Sequence, residues 1–243
     1  MISEAYRIVG TPRFGGILIV ADHASNRVPD DVALGIAPEL LDQHVAIDIG
    51  VAAVGAMMAE RPGIAAFQGN VSRVVCDFNR DQRSPALIPV ASDGHAIPGN
   101  ELSHEQRQAR IARFFDPYHN ALAQLLQEAP PALILSLHSF TPQPASKPDE
   151  LRPWQVGVLY NQDDRAARIA IPLLEAEGLI VGDQEPYSGQ LLNATMNRHA
   201  EDDGRPYLGI EVRQDQIAGE EGQRRYADLL ARVANEVALK LAE

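Results

Sequence analysis

The sequence predicts an α/β protein, a three-layer α/β/α sandwich around a mostly parallel mixed sheet. Three observations point to it. Short aliphatic runs alternate with longer amphipathic stretches along the chain. The aliphatic runs are continuous, as in strands buried on both faces. Strands separated by helices require crossover connections, which parallel pairing accommodates.

The run at 16–21, Gly-Ile-Leu-Ile-Val-Ala, reads as a buried strand ending in Asp22 and His23. From 38 to 60 the residues Leu40, Leu41, Val45, Ile49, Ala52, Ala53 and Met57 recur at helical spacing, and Arg61-Pro62-Gly63 stops the expected helix. Further strands are expected at 64–67 and 72–77. Residues 81–103, with Pro85, Pro89 and Pro98, read as a long surface loop of the kind that often serves as a lid or binding loop, followed by an amphipathic helix over 104–128. A strand at 132–137 then runs into His138 and Ser139, and a second proline-rich loop covers 141–154. The expected remainder is a strand at 156–160, a helix at 163–177 capped by Asp163, and a short strand at 179–181. A short helix at 193–201, a last strand at 207–212 and a helix at 220–241 complete the chain. No repeat or linker divides residues 1–243, so one domain is expected.

Composition removes several function classes. Twenty-one Lys and Arg against 33 Asp and Glu give a formal net charge of −12, which argues against nucleic acid and anionic membranes as partners, since both recruit clustered positive charge. The lone Cys76 leaves no intrachain disulfide and no cysteine-rich metal site. No apolar run approaches the roughly 20 residues that cross a bilayer, and the N-terminal segment lacks a signal-peptide core. A soluble cytoplasmic protein is expected, with its oligomeric state undetermined.

Polar clusters mark three strand ends: Asp22-His23-Ala24-Ser25-Asn26, His138-Ser139, and Glu211-Val212-Arg213. Ligands of open α/β sheets bind beyond the carboxyl ends of strands. Two histidines and a glutamate converging there suit a zinc hydrolase, which uses about three protein ligands and one open position. Taken singly, His23 and His138 also read as strand-end residues satisfied by backbone carbonyls. Their shared placement favours the ligand reading. Glu211, in a strand that should be buried, is either ion-paired or a proton acceptor and donor. Arg73, Asn79 and Arg80 read as an anion clamp, because arginine forks grip carboxylates, or as partners of Asp77 and Asp81. His44, His95, His104, His119 and His199 read as structural or solvated.

Taken in order, five segments resemble the N-formylglutamate amidohydrolase family over residues 15–240: Ala21-Asp22-His23-Ala24-Ser25-Asn26-Arg27-Val28-Pro29, His44-Val45-Ala46-Ile47-Asp48, Ser72-Arg73-Val74-Val75-Cys76-Asp77-Phe78-Asn79-Arg80, His138-Ser139-Phe140 and Gly209-Ile210-Glu211-Val212-Arg213. The resemblance implies distant kinship with zinc carboxypeptidases and aspartoacylases, whose mixed sheet has eight strands between helices. It also implies Zn2+ or another divalent transition metal, and a small anionic N-acyl amino acid as substrate. His23, the Asn79-Arg80 pair, His138 and Glu211 match the order of first ligand, carboxylate clamp, second ligand and catalytic acid. Three residues after His23, where the pattern has an acidic ligand, stands Asn26. A neutral amide is a weak zinc ligand, so the third ligand stays open among Asn26, Asp22 and Asp48, the last expected on the helix that follows. Loss of the metal, leaving a carboxylate-binding protein, is the rival reading. The resemblance further implies that Tyr187 binds substrate or polarises its carbonyl, that Arg73 helps Arg80, and that Arg213 orients Glu211 or stabilises an oxyanion. The implied reaction is hydrolysis of N-formylglutamate, or of another N-acylated acidic amino acid or small peptide.

Overall fold

The computed structural model describes residues 2–243. Among the described residues there are nine strands: β1 (Tyr6–Gly10), β2 (Ile17–Ala21), β3 (Ile64–Gly69), β4 (Ala91–Ser92), β5 (His95–Ala96), β6 (Leu133–Phe140), β7 (Val156–Leu159), β8 (Val181–Asp183) and β9 (Tyr207–Arg213). Six α-helices accompany them: α1 (Val51–Met58), α2 (His104–Arg110), α3 (Asp116–Glu128), α4 (Arg165–Ala176), α5 (Ala194–His199) and α6 (Glu220–Leu241). Seven strands form one mixed sheet in the order β1-β3-β2-β6-β9-β7-β8, while β4 and β5 form a separate small hairpin. The pairings of β2 with β3 and β6, of β6 with β9, and of β7 with β8 are parallel. Those of β1 with β3 and of β7 with β9 are antiparallel. The sheet thus has seven strands, one fewer than the eight of the kin the sequence suggested.

All five residues of β2 are buried because both faces of the sheet are covered. Ile17, Ile19 and Ala21 join the core under α1, α4 and α6, whereas Leu18 and Val20 join the opposite core with Leu122, Leu126 and Phe114. Alternation along the strand sends neighbouring side chains to opposite layers. Burial of each Leu, Ile or Val contributes about 1.5–3 kcal/mol relative to exposure.

Three differences from the sequence expectation shape the site. The apolar pattern over 38–60 is not one helix: a 3₁₀ turn covers Pro38–Asp42, turns follow, and only α1 is α-helical. Gly50, at φ 81°, caps α1, and a Cβ there would stand 2.3 Å from the Ile217 carbonyl oxygen. Residues 72–77 are turns, not a strand. There Val75 and Cys76 N–H both bond the Ser72 carbonyl, and the Ser72 hydroxyl donates to Ala46 O. The edge strand β1 was not expected, and the short strand expected at 179–181 lies at 181–183. Asp163 is not the helix cap; Asp164 holds that position without a side-chain capping bond, and Asp163 accepts from the Arg165 N–H.

The long helix expected over 104–128 is α2 and α3 joined by a single π turn, Ile111–Phe115. Asp116 N–H bonds the Ile111 carbonyl five residues back, just before Pro117, whose ring has no N–H for the ladder. Among the described residues no helix is long and apolar enough to cross a membrane.

Candidate active site

The carboxyl ends of β2, β6 and β9, three parallel strands, face the same edge of the sheet. Asp22 and His23 follow β2, His138 lies in β6, and Glu211 lies directly opposite it in β9. On its other side Glu211 is paired with Gly157 of β7, where a Cβ would stand 2.2 Å from the Glu185 carbonyl oxygen. The cleft at this edge has a volume of about 150 Å³ and is lined by His23, His44, Asp48, Arg73, Asn79, Arg80, His138, Ser139, Phe140, Thr141, Tyr187, Leu192 and Glu211.

At its floor two imidazoles converge on one carboxylate. His23 Nδ1 lies 3.3 Å and His138 Nδ1 2.9 Å from Asp48 Oδ2. Asp48 reaches them because it stands in the turn before α1, not on the helix, and its own N–H bonds the His23 carbonyl. Each imidazole is backed at its far nitrogen by another buried carboxylate. His23 Nε2 lies 2.7 Å from Asp77 Oδ1, and His138 Nε2 lies 3.5 Å from Asp22 Oδ2. Asp22 is aimed by the Tyr118 hydroxyl at 2.7 Å and the Thr195 hydroxyl at 3.0 Å, both donating to its Oδ1. Arg73 donates to Asp48 Oδ1 and Asp77 Oδ2, each at 3.1 Å, tying the two carboxylates together.

Burial works against charge on every one of these groups, and their mutual attraction outweighs it. The His138 imidazole is held well above its usual pKa by Asp22 and Asp48, and that of His23 is raised by Asp77 and Asp48. Asp48 and Asp77 sit far below the usual carboxylate range against the same imidazoles and Arg73. Glu211 goes the other way: burial pushes its carboxyl up to about 7. Its Oε2 has no hydrogen-bond partner in the structure.

These residues fit a divalent metal ion. One donor atom each from His23, Asp48 and His138 lies within 4.8 Å of the others. Tetrahedral zinc with bonds of about 2.0–2.1 Å spaces its donors about 3.3 Å apart, the scale of the two Nδ1–Oδ2 distances here. The Asp–His contacts on the outer side supply the orientation that ligating histidines normally receive.

No curated protein matches the sequence. The family profile for N-formylglutamate amidohydrolase matches residues 15–218. The chain belongs to that family. Among solved structures, the gene product Atu2144 from Agrobacterium tumefaciens is 29% identical with a TM-score of 0.91, covering 99% of this chain and 97% of its own. The N-formylglutamate amidohydrolase from Ralstonia eutropha JMP134 is 20% identical with a TM-score of 0.70, covering 98% of both chains. The second likeness shows the shared α/β fold. Membership makes the protein an amidohydrolase.

The structure gathers most of the residues singled out in the sequence and leaves two aside. Asn26 is not at the cleft: its amide donates to Asp42 Oδ1 at 2.8 Å on the surface. The carboxylate that lies beside the two histidines is that of Asp48. Arg213 does not reach Glu211. It pairs with Asp215 and donates to the carbonyls of Arg152 and Pro153. Arg73 is engaged by two carboxylates, whereas Arg80 uses only its Nε, 3.4 Å from Asp77, and its terminal nitrogens have no partner among the described residues. Asn79 accepts at Oδ1 from the Thr195 N–H, leaving its amide N–H groups to donate.

Sequence reasoning missed others. His44, read as structural or solvated, lines the cleft and bonds Asp93 at 2.8 Å. Arg152, 7% exposed, donates to the Tyr187 hydroxyl at 2.7 Å and lies over its ring at 4.9 Å. Arg152 is itself fixed by Glu150 at 2.7 and 3.0 Å. Arginine only donates, so Tyr187 accepts from it and keeps its own proton to give to the cleft. Nothing in the Pro-rich segment around Arg152 signals this contact, but the Asp77-Phe78-Asn79-Arg80 run could have pointed to Asp77.

Proposed function

We propose that this protein is a metal-dependent hydrolase of the amide bond of small anionic N-acyl amino acids, with N-formylglutamate as the substrate. The observation that carries the reading is the convergence of His23, Asp48 and His138 beside the unpartnered, buried Glu211, with the open fork of Arg80 on the same cleft. His23, Asp48 and His138 would hold the ion, and zinc suits a set of two imidazoles and a carboxylate. Such an ion supplies Lewis acidity that makes water nucleophilic near neutral pH and polarises a carbonyl.

The chain's own residues do the rest. Arg80 and the Asn79 amide hold a carboxylate of the amino-acid portion, fixing the scissile amide over Glu211. Glu211 takes a proton from the attacking water and delivers it to the departing amine nitrogen, so that formate and glutamate leave. Tyr187, its oxygen held by Arg152, donates its proton to the carbonyl oxygen as charge develops there. Family membership and the 0.70 structural likeness to an N-formylglutamate amidohydrolase support the choice of substrate.

The test is formate release from N-formyl-L-glutamate by zinc-loaded protein, alongside N-acetyl-L-glutamate and N-acetyl-L-aspartate. Turnover of the formyl substrate that disappears in Glu211→Gln is expected. Absence of turnover with every acyl amino acid, at full metal occupancy, would reject the proposal.

A further inference from the structure

Beyond the cleft, the wall formed by Asn79 and Arg80 also borders a second, more open groove of about 660 Å³. Two further arginines line this groove: Arg83 from the 81–103 loop and Arg198 from α5. Both are exposed, and neither has an ion-pair partner among the described residues, although Asp81 and Asp202 border the same groove. Elsewhere on the surface the arginines on helices are mostly paired, as Arg165, Arg168, Arg224 and Arg232 are. Asp81 is occupied locally, accepting from the Arg83 backbone N–H. Arg198 is braced over the Phe115 ring at 5.8 Å.

We propose that this groove is a second substrate subsite, which takes the amine side of an acidic N-acyl dipeptide whose far carboxylate binds Arg83 and Arg198. The inference rests on the reading of the cleft given above. A glutamyl residue has two carboxyl groups. When one is anchored at Arg80, the other is free to be the amide through which a second residue continues, and Arg80 stands at the boundary between the two cavities. Two guanidinium groups without partners then meet the terminal carboxylate of that second residue. The chemistry at the scissile bond is unchanged: water adds to the acyl carbon, the C–N bond breaks, and the dipeptide leaves as the free amine with the proton from Glu211.

The experiment compares kcat/KM of zinc-loaded protein for N-formyl-L-glutamate and for the α- and γ-linked N-formyl-L-glutamyl-L-glutamates, in wild type and in the Arg83→Ala/Arg198→Ala double variant. Exposed ion pairs of this kind predict that the favoured dipeptide exceeds N-formylglutamate by roughly fivefold in wild type and loses that advantage in the double variant, whose N-formylglutamate activity stays within about twofold. Calorimetric binding of the matching glutamyl-glutamate product, independent of turnover, should weaken by a similar factor. The subsite is overturned if neither dipeptide is preferred, or if the double variant handles the dipeptide and its product as wild type does. If N-formylglutamate and both dipeptides are all inert, the reading of the cleft fails first and this one falls with it.

Discussion

Behind the cleft, His119 and His199 form a buried pair whose response to acid can be worked out from their bonds. His119 Nε2 lies 3.1 Å from the Phe78 carbonyl, which only accepts, so that nitrogen carries the proton. His119 Nδ1, 2.8 Å from His199 Nε2, must then accept, and His199 donates. Burial holds both imidazoles neutral, lowering His119 to about 3 and His199 to about 4. The sign follows. Below the ordinary histidine value the unfolded chain takes up protons that the folded chain refuses, so this contribution is complete above that value and is lost as pH falls. Between pH 7 and 5, each such histidine removes about 2 kcal/mol of stability. His23 and His138 are shifted upward and act oppositely, contributing stability below the ordinary value and losing it as pH rises. The total slope therefore mixes both effects, and the informative quantity is the difference from His199→Gln, whose amide still donates to His119 without titrating. Urea unfolding followed by circular dichroism at pH 7 and pH 5 should show the variant losing about 2 kcal/mol less than wild type over this interval. Parallel slopes for the two proteins would refute the neutral, buried pair. The consequence reaches the cleft, because α5 carries Thr195, which bonds both Asn79 and Asp22.

Four further variants have expected outcomes. Glu211→Gln should lower kcat by about 10²–10⁴ with unchanged metal content by elemental analysis; retained turnover would remove Glu211 from proton transfer. Asp22→Asn, leaving every metal donor in place, should weaken zinc binding by about 10–100-fold in competition with a chromophoric chelator. Tyr187→Phe should cost about 10²–10³ in kcat with a smaller change in KM. Arg152→Met should cost a similar factor, and the double variant little more than either alone, since the two act as one unit; additive losses would separate them.

How much of this could be read from the sequence differs by element. The buried strands and the C-terminal helix were legible because their periodicity is set by burial, and α6 spans the very residues its apolar pattern marks out. The same reasoning misread 72–77. Val71, Val74, Val75 and Cys76 are buried as a strand would bury them, but the turn brings Arg73 and Asp77, four residues apart, into a 3.1 Å ion pair. The helix expected through Asp48 fails for a related reason, since its N–H is given to the His23 carbonyl and not to a helical ladder. His23, His138 and Glu211 could be found because each ends or interrupts an aliphatic strand. Arg152, His44 and Thr195 could not, since their importance comes from partners 35, 49 and 173 residues away.

The π turn between α2 and α3 gives one rod two rotational phases. Before it, Arg107 and Arg110 clasp the 81–103 loop through Ser84 and Asn100. After it, Tyr118 and His119 point inward to Asp22 and His199. Each helical residue advances the direction of a side chain by about 100°. Deleting one residue from Ile111–Phe115 would give a more regular cylinder yet could keep only one of these two alignments, so the irregularity works as a gear offset that lets a single rod serve the outer loop and the inner carboxylate together.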